Sequence, residues 1–545
     1  MFGPLMKRAL QKLGRGQRIS FRSLRKIAIL LLSAALLVTF LVLSIKSHLR
    51  KLQDKIEGDR PHVHSHKSKL SNKIISSEAD APFVVGCRVP DVNGPRANAS
   101  FVMLARNSEL DDVVSSMKSM ERHFNQWFNY PWVFLNDVEF DDTFKSTVAK
   151  HTKAKVEFGV VPQEQWEFPS DIDKDEFEEA IESQGDRTIM YGQMASYHKM
   201  CRFYSGHFYS HPLVTRNKWY WRVEPDVKFF CDLTYDPFIE MEMRNKKYGF
   251  TVTIEELYYT VPSLFRHTKA FIKKNNIKVA SAWDILVTKY LKPSGPDAER
   301  FRFMEKKSDL AKAVQQNKVL QRFLRSNVDD SRLQKIQEFK HMPDVFEQAY
   351  QKPPLFEDRY DDEEYNLCHF WTNFEIAQTD IFTSQTYQDY FQYLEKSGGF
   401  YKERWGDAPV HSLAVAMLLN KEELHYFRDI GYKHTTLGHC PNNAPDNQLP
   451  YKPAGYEEEE KPWYMTFMDE PDRPVKNGVG CRCRCPYKHR ELEDHNNKCM
   501  RRFIQVMADD YKDDHEIALR PLEDAAEREI VRHLRSGDDL EEFSP

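Results

Sequence analysis

The chain has no acidic residue before Asp54, no glycine-rich phosphate loop after its first predicted strand, no Cys-x2-Cys pair and no internal repeat. Each absence excludes something. Without the glycine loop, neither a dinucleotide fingerprint nor a P-loop is present. Without Cys-x2-Cys, the close-set Cys481, Cys483 and Cys485 with Cys499, His489 and His495 do not make a zinc knuckle, and disulfides are the better reading. Without repeats, no solenoid is built. The chain also lacks a strong net charge: at −4 over 545 residues it has no dominant surface for nucleic acid. That length holds a large core and more than one domain.

One long apolar run is present, Ile27–Ile45, uncharged and 19 residues long. As a helix it spans a hydrocarbon core of about 30 Å. Lys7, Arg8, Lys12, Arg15, Arg18, Arg22, Arg25 and Lys26 precede it, and fewer basic residues follow at once. The charge bias places residues 1–26 in the cytosol and the remainder in a lumen. The run is long for a cleaved signal and has no small-x-small exit, so a signal-anchor is expected. Residues 46–94 are rich in Lys, Ser and His and read as a stem. In an oxidising lumen most of the nine cysteines pair and one is left over. Asn98-Ala99-Ser100 is a sequon, usable only on that side of the membrane.

Beyond the stem, strand and helix patterns alternate. Strands are expected at Ser100–Leu104, Trp132–Leu135 and Lys155–Val161. Helices are expected from a cap at Asn107 or Ser108 through Phe124, at Phe140–His151 and at Met190–Tyr204. This alternation is the signature of a parallel α/β sheet that binds nucleotides. Residues about 292–364 are densely charged and read as an insertion, and 504–545 as an acidic tail.

Four clusters carry chemistry. Trp219-Tyr220-Trp221-Arg222-Val223 reads as a buried strand that stops at Glu224-Pro225-Asp226, because proline has no amide hydrogen to donate. Two carboxylates one residue apart at a strand end suit Mg2+ or Mn2+ bridging to phosphates, and a solvated acidic turn is the plainer alternative. In Cys368-His369-Phe370-Trp371-Thr372-Asn373-Phe374-Glu375, an unpaired carboxylate amid aromatics is costly to bury. Its acid or ionised role depends on its neighbours, and a structural glutamate satisfied by backbone amides is the alternative. Gly398-Gly399 through Arg404-Trp405-Gly406-Asp407 suits a sugar platform or an ordinary loop and helix cap. Phe427-Arg428-Asp429-Ile430-Gly431-Tyr432-Lys433-His434 brings an imidazole that a carboxylate-bound Mn2+ accepts, although a lone histidine is more often structural and its spacing alone does not support this role.

Taken together and in this order, Tyr130–Asp137, Met194–Phe203, Trp221–Asp232, Cys368–Ile376, Arg404–Ser412 and Phe427–His434 resemble the fungal α-1,2-mannosyltransferases of glycosyltransferase family 15. The resemblance covers roughly residues 95–440, and the cysteine-rich stretch to about 503 resembles some members. It implies a GT-A fold with a mixed central sheet, in a lumenal catalytic domain over 95–503. It also implies a GDP-mannose donor, Mn2+ as cofactor, mannosylated glycoprotein acceptors on N- or O-linked glycans, retention of configuration, and a single-pass type II place in the Golgi membrane. By motif position it assigns Glu224, His434 and, more weakly, Asp226 to the metal, and Glu375, Tyr197 and Asp407 to catalysis. Arg222, Arg106, Trp371, Arg404 and Trp405 fall to substrate binding. The runner-up transfers mannosylphosphate from the same donor; a third reading is a glycan-binding membrane protein without activity. The insertion and the acidic tail depart from compact members of the family.

Overall fold

The computed structural model describes residues 83–169, 173–289, 359–361, 363–450, 471–486, 490–491, 493 and 497–507. The expected cytosolic segment, membrane anchor, most of the stem and insertion, and the tail beyond Met507 lie outside them. Among the described residues no helix is long and apolar enough to cross a membrane.

The strands in chain order are β1 (Ala99–Leu104), β2 (Trp132–Asn136), β3 (Val156–Val160), β4 (Trp219–Val223) and β5 (Val227–Phe229). Then follow β6 (Tyr248–Phe250), β7 (Thr253–Glu255), β8 (Val287–Lys289), β9 (Arg359–Tyr360), β10 (Glu363–Tyr365) and β11 (Cys368–Phe370). The chain ends with β12 (Phe374–Gln378), β13 (Leu424–Tyr426), β14 (Tyr432–His434), β15 (Leu437–His439) and β16 (Arg490–Glu491). Seven of them form the main sheet in the order β13-β6-β12-β4-β1-β2-β3. β3, β2, β1 and β4 run parallel, as alternating strands and helices dictate. β12 enters antiparallel between β4 and β6, and β13 is parallel to β6. The sheet is therefore mixed.

Side chains alternate between its faces, and both faces are covered. Phe101, Trp132, Phe134, Trp219, Trp221 and Ile376 meet the helices Leu110–Met120 and Asp142–Ala149 on one side. Val102, Val133, Tyr220, Tyr248 and Ala377 meet Ala195–Gly206, Gln385–Ser397 and Asp407–Leu418 on the other. Two-sided burial explains why all five residues of β4 are buried and why its sequence shows no polar alternation.

Several expectations change in detail. The helix expected from Met190 begins at Ala195, since Thr188 and Tyr191 take left-handed backbone angles that interrupt it. The expected Asn107 or Ser108 cap is replaced by a 3-10 turn, Asn107–Glu109, closed by the Glu109 carboxylate, which accepts from the Arg106 backbone amide and from its guanidinium. Gly398 ends helix Gln385–Ser397 at φ +75°. Gly399 is required because a Cβ there would lie 2.2 Å from the Trp405 ring. Packing starts earlier than residue 95: Phe83 stacks on His425 at 3.7 Å and Cys87 is bonded to Cys481. It also runs past residue 503, since helix Lys498–Met507 buries Ile504 and Met507. β8 and β10, on either side of the insertion, pair with each other.

Four disulfides form, Cys87–Cys481, Cys231–Cys483, Cys368–Cys499 and Cys440–Cys485, and the buried Cys201 stays free. The cluster weighed as a zinc site is thus a set of staples. Three of them fasten Cys481, Cys483 and Cys485 near the small sheet β16-β15-β14-β5.

Candidate active site

The C-terminal ends of the parallel strands β1, β2 and β4 share one edge, where open α/β sheets bind their ligands. Glu224 follows β4 there, Arg106 follows β1, and Asn136 ends β2. Pro225 breaks the strand, and Asp226 turns the chain into β5 at φ +57°. β5 pairs with β14 so that His434 lies opposite Val227, one residue from Asp226. The Glu-Pro-Asp turn and the imidazole, 208 positions apart between residues 226 and 434, are neighbours through that ladder.

Arg222 organises the edge. Its Nε donates to Glu224 Oε1 at 2.6 Å and its Nη1 to Asp407 Oδ2. Its guanidinium lies over the Tyr204 ring at 3.4 Å, an attraction between cation and ring face. The two flanking carboxylates outweigh burial and hold the arginine charged. Asp407 opens helix Asp407–Leu418, where a carboxylate also suits the helix dipole. It accepts a second hydrogen bond from Thr372 Oγ1 at 2.8 Å. Burial pushes its carboxyl up, but Arg222, His411 and the hydrogen bonds prevail and hold it below the ordinary carboxylate value. Asp407 is therefore an ionised group, not a turn residue.

Glu375 lies directly opposite Arg222 in the β12–β4 ladder and is wholly buried. Among the described residues no backbone amide satisfies it. Tyr220 and Tyr248 donate their hydroxyls, the latter at 2.8 Å, and His411 Nδ1 faces Oε2 at 3.2 Å. None of these three partners was predicted. The sequence signals are period-based: Tyr220 is two residues before Arg222 on the same face of β4, and His411 is one helical turn after Asp407.

His434 meets Asn373 Nδ2 through Nδ1 at 3.0 Å, and its ring lies 5.7 Å from that of Trp371. Burial lowers its pKa, with Glu224 and Asp226 pulling the other way, so the ring is held neutral, with its Nδ1 lone pair accepting from the Asn373 amide. On the far side of Asp407, Tyr197 sits between Tyr191, stacked at 4.8 Å, and the Arg404 guanidinium at 5.5 Å. Burial raises the Tyr197 hydroxyl well above its ordinary pKa, so it stays protonated. Arg404 pairs with Glu256 at 3.2 Å while its buried Nε has no partner.

The structure thus gathers Arg222, Glu224, Asp407, Glu375 and Tyr204 into one connected array, with Asp226, His434 and Trp371 on one flank and Tyr197 and Arg404 on the other. Two predicted residues are placed differently. Trp405 is 1% exposed, with Gly399 and Phe400 against its ring, so it offers no exposed stacking face. The exposed Arg106 is engaged by Glu109 at 2.8 Å.

A carboxylate pair with a neutral imidazole fits a hard divalent ion such as Mn2+. Among the described residues no group of three or more His, Cys, Asp or Glu side chains is placed to hold a metal ion, so Glu224, Asp226 and His434 are neighbours without forming a preassembled three-ligand site.

A mixed α/β sheet with this edge and no phosphate loop is the architecture of the α/β glycosyltransferases that it resembles. Two solved structures share the fold. Core-mannan synthase A (CmsA/Ktr4) from Aspergillus fumigatus, in its Mn/GDP form, is 34% identical with a TM-score of 0.50, covering 70% of this chain and 85% of that one. Mannosyltransferase Ktr4p of Saccharomyces cerevisiae in complex with GDP is 32% identical with a TM-score of 0.51, covering 71% and 83%. The pattern of the glycolipid 2-α-mannosyltransferase family matches residues 45–290 and 305–448, and the chain belongs to that family. Probable mannosyltransferase KTR7 of S. cerevisiae is 46% identical over 441 residues, 79% of this chain and 81% of that protein. O-glycoside α-1,2-mannosyltransferase homolog 4 of Schizosaccharomyces pombe is 38% identical over 443 residues, 81% and 85%.

Proposed function

We propose that the protein transfers mannose from GDP-mannose to mannosyl acceptors on N- or O-linked glycans, in α-1,2 linkage and with retention of configuration. The observation that carries this reading is the Glu224–Arg222–Asp407 chain of ion pairs at the ligand edge, in a chain of this family. Residues 27–45 anchor it, residues 1–26 face the cytosol, and the chain beyond the anchor works in the Golgi lumen. Four disulfides support that side of the membrane, since they persist in oxidising compartments.

Glu224 and His434, with Asp226 beside them, would hold Mn2+, whose charge when bound would stabilise the negative charge left on the departing diphosphate. Arg222 donates to Glu224 and aims it along the edge. Asp407 stays negative next to the position where positive charge grows on the sugar carbon. Glu375 has two hydroxyl donors and an imidazole around its oxygens, which disfavours covalent attack, because attack needs those partners to be released. A leaving phosphate can itself accept the acceptor's proton, so retention does not require a second free carboxylate. Tyr197 and Arg404 present a protonated hydroxyl and a cation to acceptor oxygens.

The test is the full-length chain in detergent with GDP-mannose, Mn2+ and methyl α-mannoside. The expected result is GDP release with a product heavier by one hexose and linked α-1,2. A product heavier by hexose plus phosphate, or glycan binding without GDP release, refutes it.

A further inference from the structure

His411 is buried on the inner side of helix Asp407–Leu418, against the rings of Phe382 at 4.5 Å, Phe208 and Tyr387. Both of its nitrogens face oxygens. Nε2 is 2.9 Å from the Tyr204 carbonyl oxygen, which can only accept, so Nε2 carries a hydrogen. Nδ1 is 3.2 Å from Glu375 Oε2. A neutral ring protonated at Nε2 would point the Nδ1 lone pair at a carboxylate oxygen, an acceptor against an acceptor in a site without water-like screening. The contact is satisfied only when the pair holds one further proton, on Nδ1 or on Oε2. Tyr220 and Tyr248 do not supply it, because their hydroxyls already donate to the two carboxylate oxygens. The other charged group facing the ring is Asp407, one turn earlier on the same helix, itself neutralised by Arg222.

We propose that His411 is a positioning residue that shares a single proton with Glu375. The pair is then neutral overall. Glu375 lies opposite Arg222 in the ladder, yet Arg222 bonds Asp407 and Glu224 instead. A proton held between Glu375 and His411 removes the competing negative charge and leaves the guanidinium to the two carboxylates that face the ligand edge. The helix is pinned twice, by Asp407 to β4 and by His411 to β12, and this fixes the distance between the two catalytic carboxylates. The inference rests on the mannosyl-transfer reading for its kinetic arm alone.

Two isosteres separate the nitrogens. In His411→Asn the amide occupies the Nδ1 position and keeps a donor toward Glu375; in His411→Gln it occupies the Nε2 position and keeps only the Tyr204 contact. With full-length protein in detergent, GDP-mannose, Mn2+ and methyl α-mannoside, His411→Gln should lower kcat about 10–100-fold with KM for GDP-mannose unchanged. His411→Asn should recover most of that loss. Equal kcat in the two variants, or a KM change that matches the kcat change, overturns the proposal. A double-mutant cycle of unfolding midpoints between His411→Gln and Glu375→Gln gives a second readout, with His411→Asn as replacement if the first variant does not fold. Non-additive shifts support the shared proton and additive shifts refute it. This arm needs no turnover, so a wild-type chain that releases no GDP would sink the mannosyl-transfer reading and leave this inference to be decided by the cycle.

Discussion

Asp407→Asn isolates the ion pair that joins the helix to the sheet. Its side chain and that of Arg222 are 9% and 5% exposed, and breaking such a buried pair by losing one charge costs about 3–5 kcal/mol. The amide keeps the shape, still accepts from Thr372 and Arg222 through its remaining oxygen, and leaves Arg222 with Glu224. The expected cost is therefore at the low end or below it, about 2–3 kcal/mol. For roughly 350 ordered residues the unfolding entropy is about 0.7 kcal/mol/K, so the midpoint should fall by about 3–4 °C. Thr372→Val, which removes a neutral donor from the same carboxylate, should lower it by only about 1–2 °C. If, as proposed, the carboxylate lies charged beside the reacting sugar, kcat in Asp407→Asn should fall about 100–1000-fold. Calorimetry at a fixed scan rate and GDP release at saturating donor measure both. An unchanged midpoint and kcat, or a larger loss in Thr372→Val than in Asp407→Asn, would refute the account of Arg222 as the organiser of the edge.

Glu224→Gln should raise the Mn2+ concentration needed for half-maximal GDP release about 10–100-fold; an unchanged metal titration removes Glu224 from the metal site. Buried Asp429, bonded to Tyr235 at 2.8 Å, is pushed up to about 6 by burial. The folded chain binds that proton more tightly than the unfolded one, so the group stabilises most at low pH and its contribution is lost as pH rises from about 4 to about 6. Asp429→Asn should flatten the unfolding midpoint across that window, and an identical slope in the variant would count against it. Thiol titration should find one reactive cysteine per denatured chain, Cys201, and none in the native chain; three or more would break the disulfide assignment. Gly399→Ala drives a methyl into the Trp405 ring and should cost about 1–3 kcal/mol, seen as a lower midpoint, whereas a neutral outcome would mean that the ring moves away freely.

Local chemistry determined a good part of this protein in one dimension. The strand cores at 100–104, 132–135 and 155–161 were legible because apolar β-branched and aromatic runs admit few alternatives. The stop at Glu224-Pro225-Asp226 was legible because proline cannot continue a ladder, and the pairing of most cysteines was expected once the apolar run Ile27–Ile45 was read as an anchor facing a lumen. What Glu375 touches was not legible, since Tyr220, Tyr248 and His411 are 155, 127 and 36 positions away in sequence and meet it only after β12 enters antiparallel beside β4. Trp405 shows the converse: its composition suited a sugar platform, but Gly399 lets the backbone close over its ring. Sequence period states which face a residue takes on its own element. Which elements then face each other is set by long-range register and packing, and it was these that turned four separate motifs into one array around Arg222.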